Sequence, residues 1–194
     1  MDGDDRVTQA LDAVPREAFL PPGARSRARD DVAILIGQGQ TCSQPSTVSA
    51  MLHLLDVRPG QRVLDIGSGS GWTTALLAHL TGSGGRVLGV ELEPELVRWG
   101  AANLARCRMP WASIRPALPG VLGDPDHGPW DRILVSAAAP ALPQSLVDQL
   151  VERGRMVVPV AGTLTLVVRE GGSLTTSSHG HYRFVPLRGV PPGG

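Results

Sequence analysis

The strongest constraint on this chain is one stretch, Arg62-Val63-Leu64-Asp65-Ile66-Gly67-Ser68-Gly69-Ser70-Gly71-Trp72. An apolar run stops at three alternating glycines, and the helix-favouring residues Thr74-Ala75-Leu76-Leu77-Ala78 follow at once. The pattern predicts a strand, a tight turn and a helix. Glycines there permit positive φ, and bare backbone with the unpaired amides of a helix start can face a nucleotide-like ligand. A dinucleotide fingerprint needs its last glycine where Trp72 stands, which disfavours NAD. A P-loop needs a lysine, and the chain has none. The competing reading is a turn without a ligand, but three glycines weaken strand and helix more than a mere turn requires.

The same alternation extends along the chain. Residues Arg6 to Phe19 carry Val7, Ala10, Leu11 and Val14 at helical spacing, with a break expected at Pro15. An apolar run, Val32 to Ile36, leads into a loop of small hydrogen-bonding residues from Gly37 to Pro45. Ser46 is expected to cap a helix from Thr47 to Asp56 that buries Val48, Met51, Leu52 and Leu55, with His53 in a structural place on it. Strand and helix then alternate: Val63 to Ile66 and Thr73 to Leu80, then Arg86 to Glu91 and Pro94 to Ala105. Apolar runs at 133–135, 156–160 and 164–168 follow, with a helix from Gln144 to Glu152 before the second and a last run at 184–187. The fold class expected is α/β, a Rossmann-like, doubly wound and mostly parallel sheet with helices on both faces. Ligands then belong at the carboxyl ends of the strands.

A chain of 194 residues suits one domain, here 1–190, with a short helical part at 5–31 leading into the core and a disordered tail at 191–194. Formal net charge is zero, and no long block of one sign occurs, which argues against nucleic acid or anionic membrane as a partner. Arg25, Arg27 and Arg29 precede Asp30 and Asp31 and read as a solvated face. Cys42 and Cys107 stand alone, so neither a disulfide framework nor a metal site is expected. No apolar stretch approaches the roughly 20 residues of a bilayer span, and the start Met1-Asp2-Gly3-Asp4-Asp5 is acidic where a secretion signal would be basic. The expectation is a cytoplasmic monomer.

An acid two residues before Gly67-Ser68-Gly69-Ser70-Gly71, with Glu91 closing the next strand, resembles the S-adenosylmethionine (SAM) site of Rossmann-like methyltransferases. Further motifs narrow the resemblance: Val14-Pro15-Arg16-Glu17-Ala18-Phe19, Gly39-Gln40-Thr41-Cys42-Ser43-Gln44-Pro45 and Ser136-Ala137-Ala138-Ala139-Pro140-Ala141-Leu142-Pro143. Leu146 to Leu150, Gly154-Arg155, Val158-Pro159-Val160 and Phe184-Val185-Pro186-Leu187 extend the match across nearly the whole chain. The chain is thereby similar to the protein-L-isoaspartate O-methyltransferase family, whose T-x-S-x-P loop is distinctive among methyltransferases.

The resemblance implies methyl transfer from SAM to the carboxylate of an L-isoaspartyl residue in a damaged protein or peptide. It implies that Asp65 and the glycine backbone (Gly67, Ser68, Gly69, Gly71) hold the methionine end and that Glu91 accepts from the ribose hydroxyls, with Leu92 and Gly120 beside the cofactor. Gln40, Thr41 and Ser43 would lie between cofactor and acceptor, Ser43 as the catalytic hydroxyl. The segment Ala137-Ala138-Ala139-Pro140 would supply small walls and backbone donors to the substrate, with Ala138, Ala139 and Pro140 as its substrate-binding residues. Cys42 replaces the family's usual apolar residue and has no partner base, so it reads as core. A relative that methylates aspartate in one biosynthetic peptide, or a SAM-binding protein with weakened catalysis, would share these features.

Two departures stand out. Where the family carries Gly-Asp-Gly before the strand at 133–135, this chain has Leu118-Pro119-Gly120. Pro119 offers neither carboxylate nor amide hydrogen to adenine, a loss worth about 1–3 kcal/mol, or roughly one to two decades in affinity. Asp124 and Asp126 are nearby acids that could substitute. The family's leading helix is also mostly missing before Asp5-Arg6-Val7.

Overall fold

The computed structural model describes residues 5–189; the expected tail at 191–194 and the residues before Asp5 lie outside them. Strands β3 (Arg62–Ile66), β4 (Arg86–Glu91), β5 (Ala112–Pro116), β6 (Trp130–Val135), β7 (Leu150–Val160), β8 (Thr163–Glu170) and β9 (Ser173–His181) form one sheet. Their order is β5-β4-β3-β6-β7-β8-β9, parallel from β5 to β7 and antiparallel beyond. A small hairpin, β1 (Ile34–Gly37) with β2 (Gln40–Cys42), stands apart from it.

Strand parity sorts the core into two layers. Val63, Val87, Leu134 and Val157 face one side, where α1 (Arg6–Ala13), α2 (Pro45–Leu55), α3 (Trp72–Thr81) and α4 (Pro94–Arg106) pack. Leu64, Ile66, Leu88, Ile133 and Met156 face the other, covered by α5 (Gln144–Val147), Leu122 and Trp130. The second face thus carries one short helix rather than a full layer. The expected helix to Glu152 ends early because Leu150 already pairs with Trp130 as the start of β7.

Local chemistry explains the helix starts. Asp5 caps α1 by accepting from the Val7 amide at 3.1 Å, and Pro45 and Pro94 occupy first turns where no amide bond is lost. Ser46 does not cap α2 with its side chain. Its own amide instead donates to Asp31 Oδ1 at 2.9 Å, a cap reaching across 15 residues. His53 accepts its structural place, 3.0 Å from Asp5 Oδ1 and 2.8 Å from Ser49 O. The chain leaves β3 toward β4 and β5, then crosses back to β6 on the other side. That reversal opens a crevice above the carboxyl ends of β3 and β6.

Candidate active site

At the end of β3 the chain turns through Gly67, Gly69 and Gly71 at φ of 77°, 53° and 90°, values that a side chain would strain. The Gly67 and Ser68 amides both donate to Val90 O, at 2.9 and 3.2 Å, so the turn is sewn to β4. A Cβ on Gly71 would lie 2.9 Å from Gly100 O, and one on Gly100 only 2.7 Å from Gly69 O. Gly71 therefore does not line the crevice as the resemblance implied. It packs the turn onto α4, and Gly100 is the unforeseen partner that makes the contact possible.

The crevice is an open cleft whose space, solvent mouth included, comes to about 970 Å³. Of the expected residues, Gln40, Thr41, Ser43, Gly67, Ser68, Gly69, Glu91, Leu92 and Gly120 line it. So do Trp72, Ser136, Ala137 and Val185–Leu187, which the sequence offered only inside motifs, and Val121, Arg188 and Gly189, which it did not single out. Glu91 is 6% exposed and organises the turn: Oε2 accepts from the Gly69 amide at 2.9 Å, and Oε1 from those of Leu92 and Glu93 at 2.7 and 3.0 Å.

Asp65 is not on the cleft wall. Its carboxylate is fully buried, and Oδ2 accepts from both Thr73 and Thr74 hydroxyls at 2.7 Å, while Oδ1 has no partner among the described residues. Burial pushes its pKa up to about 6 against the two threonine bonds, and the Glu91 charge adds to the rise. Asp65 braces the first turn of α3 from beneath.

The loop carrying Ser43 is held by Arg16, a residue seen in the sequence only as part of a motif. Arg16 is 5% exposed. Nη2 donates to Cys42 O at 2.9 Å and Val32 O at 2.7 Å, and Nη1 to Asp30 O at 3.1 Å. Its guanidinium lies 5.5 Å from the Trp72 ring centroid, and Trp72 Nε1 donates to Val14 O at 3.0 Å. One fork thus ties the acceptor loop to the first residue of α3. Cys42 is buried, and burial raises its thiol pKa, which suits a wall residue rather than a nucleophile. The Ser43 and Ser136 hydroxyls line the cleft and make no hydrogen bond among the described residues.

The segment at 138–140 does not line the cleft. The Ala138 amide donates to Val185 O and that of Ala139 to Pro159 O, both at 2.8 Å, while Pro140 is exposed. These donors are spent on the fold: Ala139 is tied to β7, and Ala138 anchors a strap, Val185–Gly189, that lines the cleft and carries an Arg188–Glu93 ion pair at 2.7 Å. At the far end, Leu118 and Gly120 line the cleft around Pro119. Asp124 is no substitute for the missing acid: its Oδ1 accepts from the His127 amide and faces His127 Nδ1 at 2.8 Å. Asp126 does not line the cleft either. Gln149, also unforeseen, shapes this wall by accepting from the Asp124 amide and donating to Leu122 O, both at 2.9 Å.

The fit to a nucleoside ligand rests on Ser68, whose buried hydroxyl on the cleft wall has no partner among the described residues, and on Gly67 and Gly69, which line the wall with no side chain over it, their amides being spent on Val90 O and Glu91. Among the described residues no cluster of three His, Cys, Asp or Glu could hold a metal, and no helix is long and apolar enough to cross a membrane.

A glycine turn ending the central parallel strand, with an acid closing the next, defines a Rossmann-like SAM-dependent methyltransferase. The chain belongs to the protein-L-isoaspartate(D-aspartate) O-methyltransferase family, whose model matches residues 2–190. It is 43% identical over 195 residues to the protein-L-isoaspartate O-methyltransferase of Aeropyrum pernix, covering 95% of this chain and 73% of that one. It is 44% identical over 183 residues to that of Methanocella arvoryzae, covering 92% and 96%. A Plasmodium falciparum beta-aspartate methyltransferase solved in complex with S-adenosyl-L-homocysteine superposes with a TM-score of 0.86 at 26% identity, covering 97% and 92% of the two chains.

Proposed function

We propose that this chain methylates the free carboxylate of L-isoaspartyl residues in proteins or peptides, with Ser43 aligning the acceptor. The observation that carries the reading is Ser43, whose hydroxyl has no hydrogen-bond partner among the described residues and which lines both the cofactor cleft and an adjoining groove. When bound, SAM supplies an electrophilic methyl group on a sulfonium. Gly67, Ser68, Gly69 and Glu91 would hold it, Glu91 with the acceptor capacity its three backbone amides leave over.

A carboxylate is ionised at neutral pH, given an ordinary pKa of about 4, so the reaction needs no strong base. The work left to the protein is alignment and exclusion of water. Ser43 donates to one carboxylate oxygen and so orients the other. Arg16 fixes the Cys42 carbonyl beside it, and Trp72, Leu92 and the strap wall the cleft from solvent. The ester formed then loses methanol as the neighbouring backbone nitrogen attacks, and the resulting succinimide hydrolyses in part to normal aspartate without further enzyme.

The chain is read as one domain, acting as a cytoplasmic monomer. The test is methyl incorporation from SAM into an L-isoaspartyl peptide and its aspartyl isomer. Labelling of the first alone supports the reading, and equal or absent labelling refutes it.

A further inference from the structure

We propose that the groove adjoining the cofactor cleft carries an anion subsite built on Arg183, so that the enzyme favours isoaspartyl peptides bearing a second acid close to the damaged residue. The proposal rests on the isoaspartyl reading above and names a preference within it. The groove shares Thr41, Ser43, Ser136 and Val185 with the cleft, so it offers a path for a peptide whose carboxylate reaches Ser43. Its walls carry hydroxyls, an amide, His181 and Arg183, and no Asp or Glu. Asp31 approaches from outside, but its carboxylate accepts from the Ser46 amide and the Gln44 side chain, both at 2.9 Å, and it does not line the groove.

Arg183 differs from the other cleft-side arginines. Arg16 is spent on backbone carbonyls and Arg188 on Glu93, whereas Arg183 makes no hydrogen bond or ion pair among the described residues. The chain from 181 to 184 alternates: His181 and Arg183 are exposed, while Tyr182 and Phe184 pack on the core. Period two therefore puts Arg183 on the open side. Its backbone is anchored on both flanks, by the Tyr182 amide to Gly162 O at 2.9 Å and by Val185 O to the Ala138 amide at 2.8 Å. An unpaired guanidinium on an anchored backbone, beside a hydroxyl-lined channel, suits a carboxylate or phosphate. An extended peptide advances about 3.3 Å per residue, so an acid one or two places from the isoaspartate falls along this wall.

The pair would be solvent-exposed, so the preference is modest, about two- to fivefold, and weakens with salt. Two fluorescent isoaspartyl peptides that differ only in Glu or Lys two places from the isoaspartate test it. Their binding to the enzyme saturated with S-adenosyl-L-homocysteine is read by anisotropy, and their methylation by kcat/KM, in wild type, Arg183→Gln and the charge-matched control Arg98→Gln. The Glu peptide should bind more tightly to wild type and to Arg98→Gln, and the two peptides should bind Arg183→Gln alike. Equal binding to wild type, or a preference that survives Arg183→Gln, overturns the subsite. Loss of methylation on both peptides would overturn the activity, while the binding ratio still decides the subsite.

Discussion

Asp65→Asn is the most informative perturbation of the turn, because its effect on stability has a defined direction with pH. The Asp65 carboxyl is fully buried and its pKa is raised from 3.8 to about 6, first by burial, with two threonine bonds opposing. Below about 3.8 the group is protonated in folded and unfolded chains alike, and it costs the fold nothing electrostatic. As pH rises from there to about 6 the unfolded chain releases its proton while the folded chain keeps it, so stability falls. Above that the loss is complete, roughly 3 kcal/mol for a pKa raised from 3.8 to about 6. The asparagine retains an oxygen for Thr73 and Thr74 and does not titrate. Urea unfolding of both proteins across this range isolates the effect, because contributions common to both cancel in the difference. Wild type should lose about 3 kcal/mol relative to Asp65→Asn as pH rises through the window. A difference that is flat, or that favours wild type at higher pH, would refute the argument that burial dominates this carboxylate.

Other perturbations test other parts of the site. Ser43→Ala should lower kcat by about tenfold or more while calorimetric SAM affinity stays within about twofold; an unchanged kcat would remove its role. Glu91→Ala removes the acceptor of three backbone amides, and SAM should bind about ten- to hundredfold more weakly by calorimetry. Gly100→Ala drives a methyl to 2.7 Å from Gly69 O. It should cost about 1–3 kcal/mol in urea unfolding and weaken SAM, and a neutral result would mean that α4 can shift freely.

The glycine turn was legible because three signals coincide in a short stretch: an apolar run, alternating glycines and helix formers. Glu91 was legible for the same reason, as the polar residue ending the next apolar run. The place of Asp65 beneath the turn was legible from strand parity alone. Leu64 and Ile66 face one core layer and Val63 the other, so period two turns Asp65 toward α3 and away from the cleft. Strand β5 escaped notice because only Ile114 in it is buried, and β9 because it is a polar, exposed edge that forms by pairing with β8. Neither offers a hydrophobic period to read. Arg16 and Gly100 act through backbone atoms brought together by tertiary structure, and no side-chain pattern announces such partners. The segment at 138–140 was placed at the right end of the sheet, but its amides prove to be consumed by the strap and β7.

The account stands on the cleft above β3 being the methyl-donor site. A crystal structure of the chain with S-adenosyl-L-homocysteine measures this most directly. The account predicts the nucleoside over Gly67–Gly69, its ribose hydroxyls on Glu91 and its sulfur facing Ser43. Density for the ligand elsewhere, or a ribose with no contact to Glu91, would contradict it.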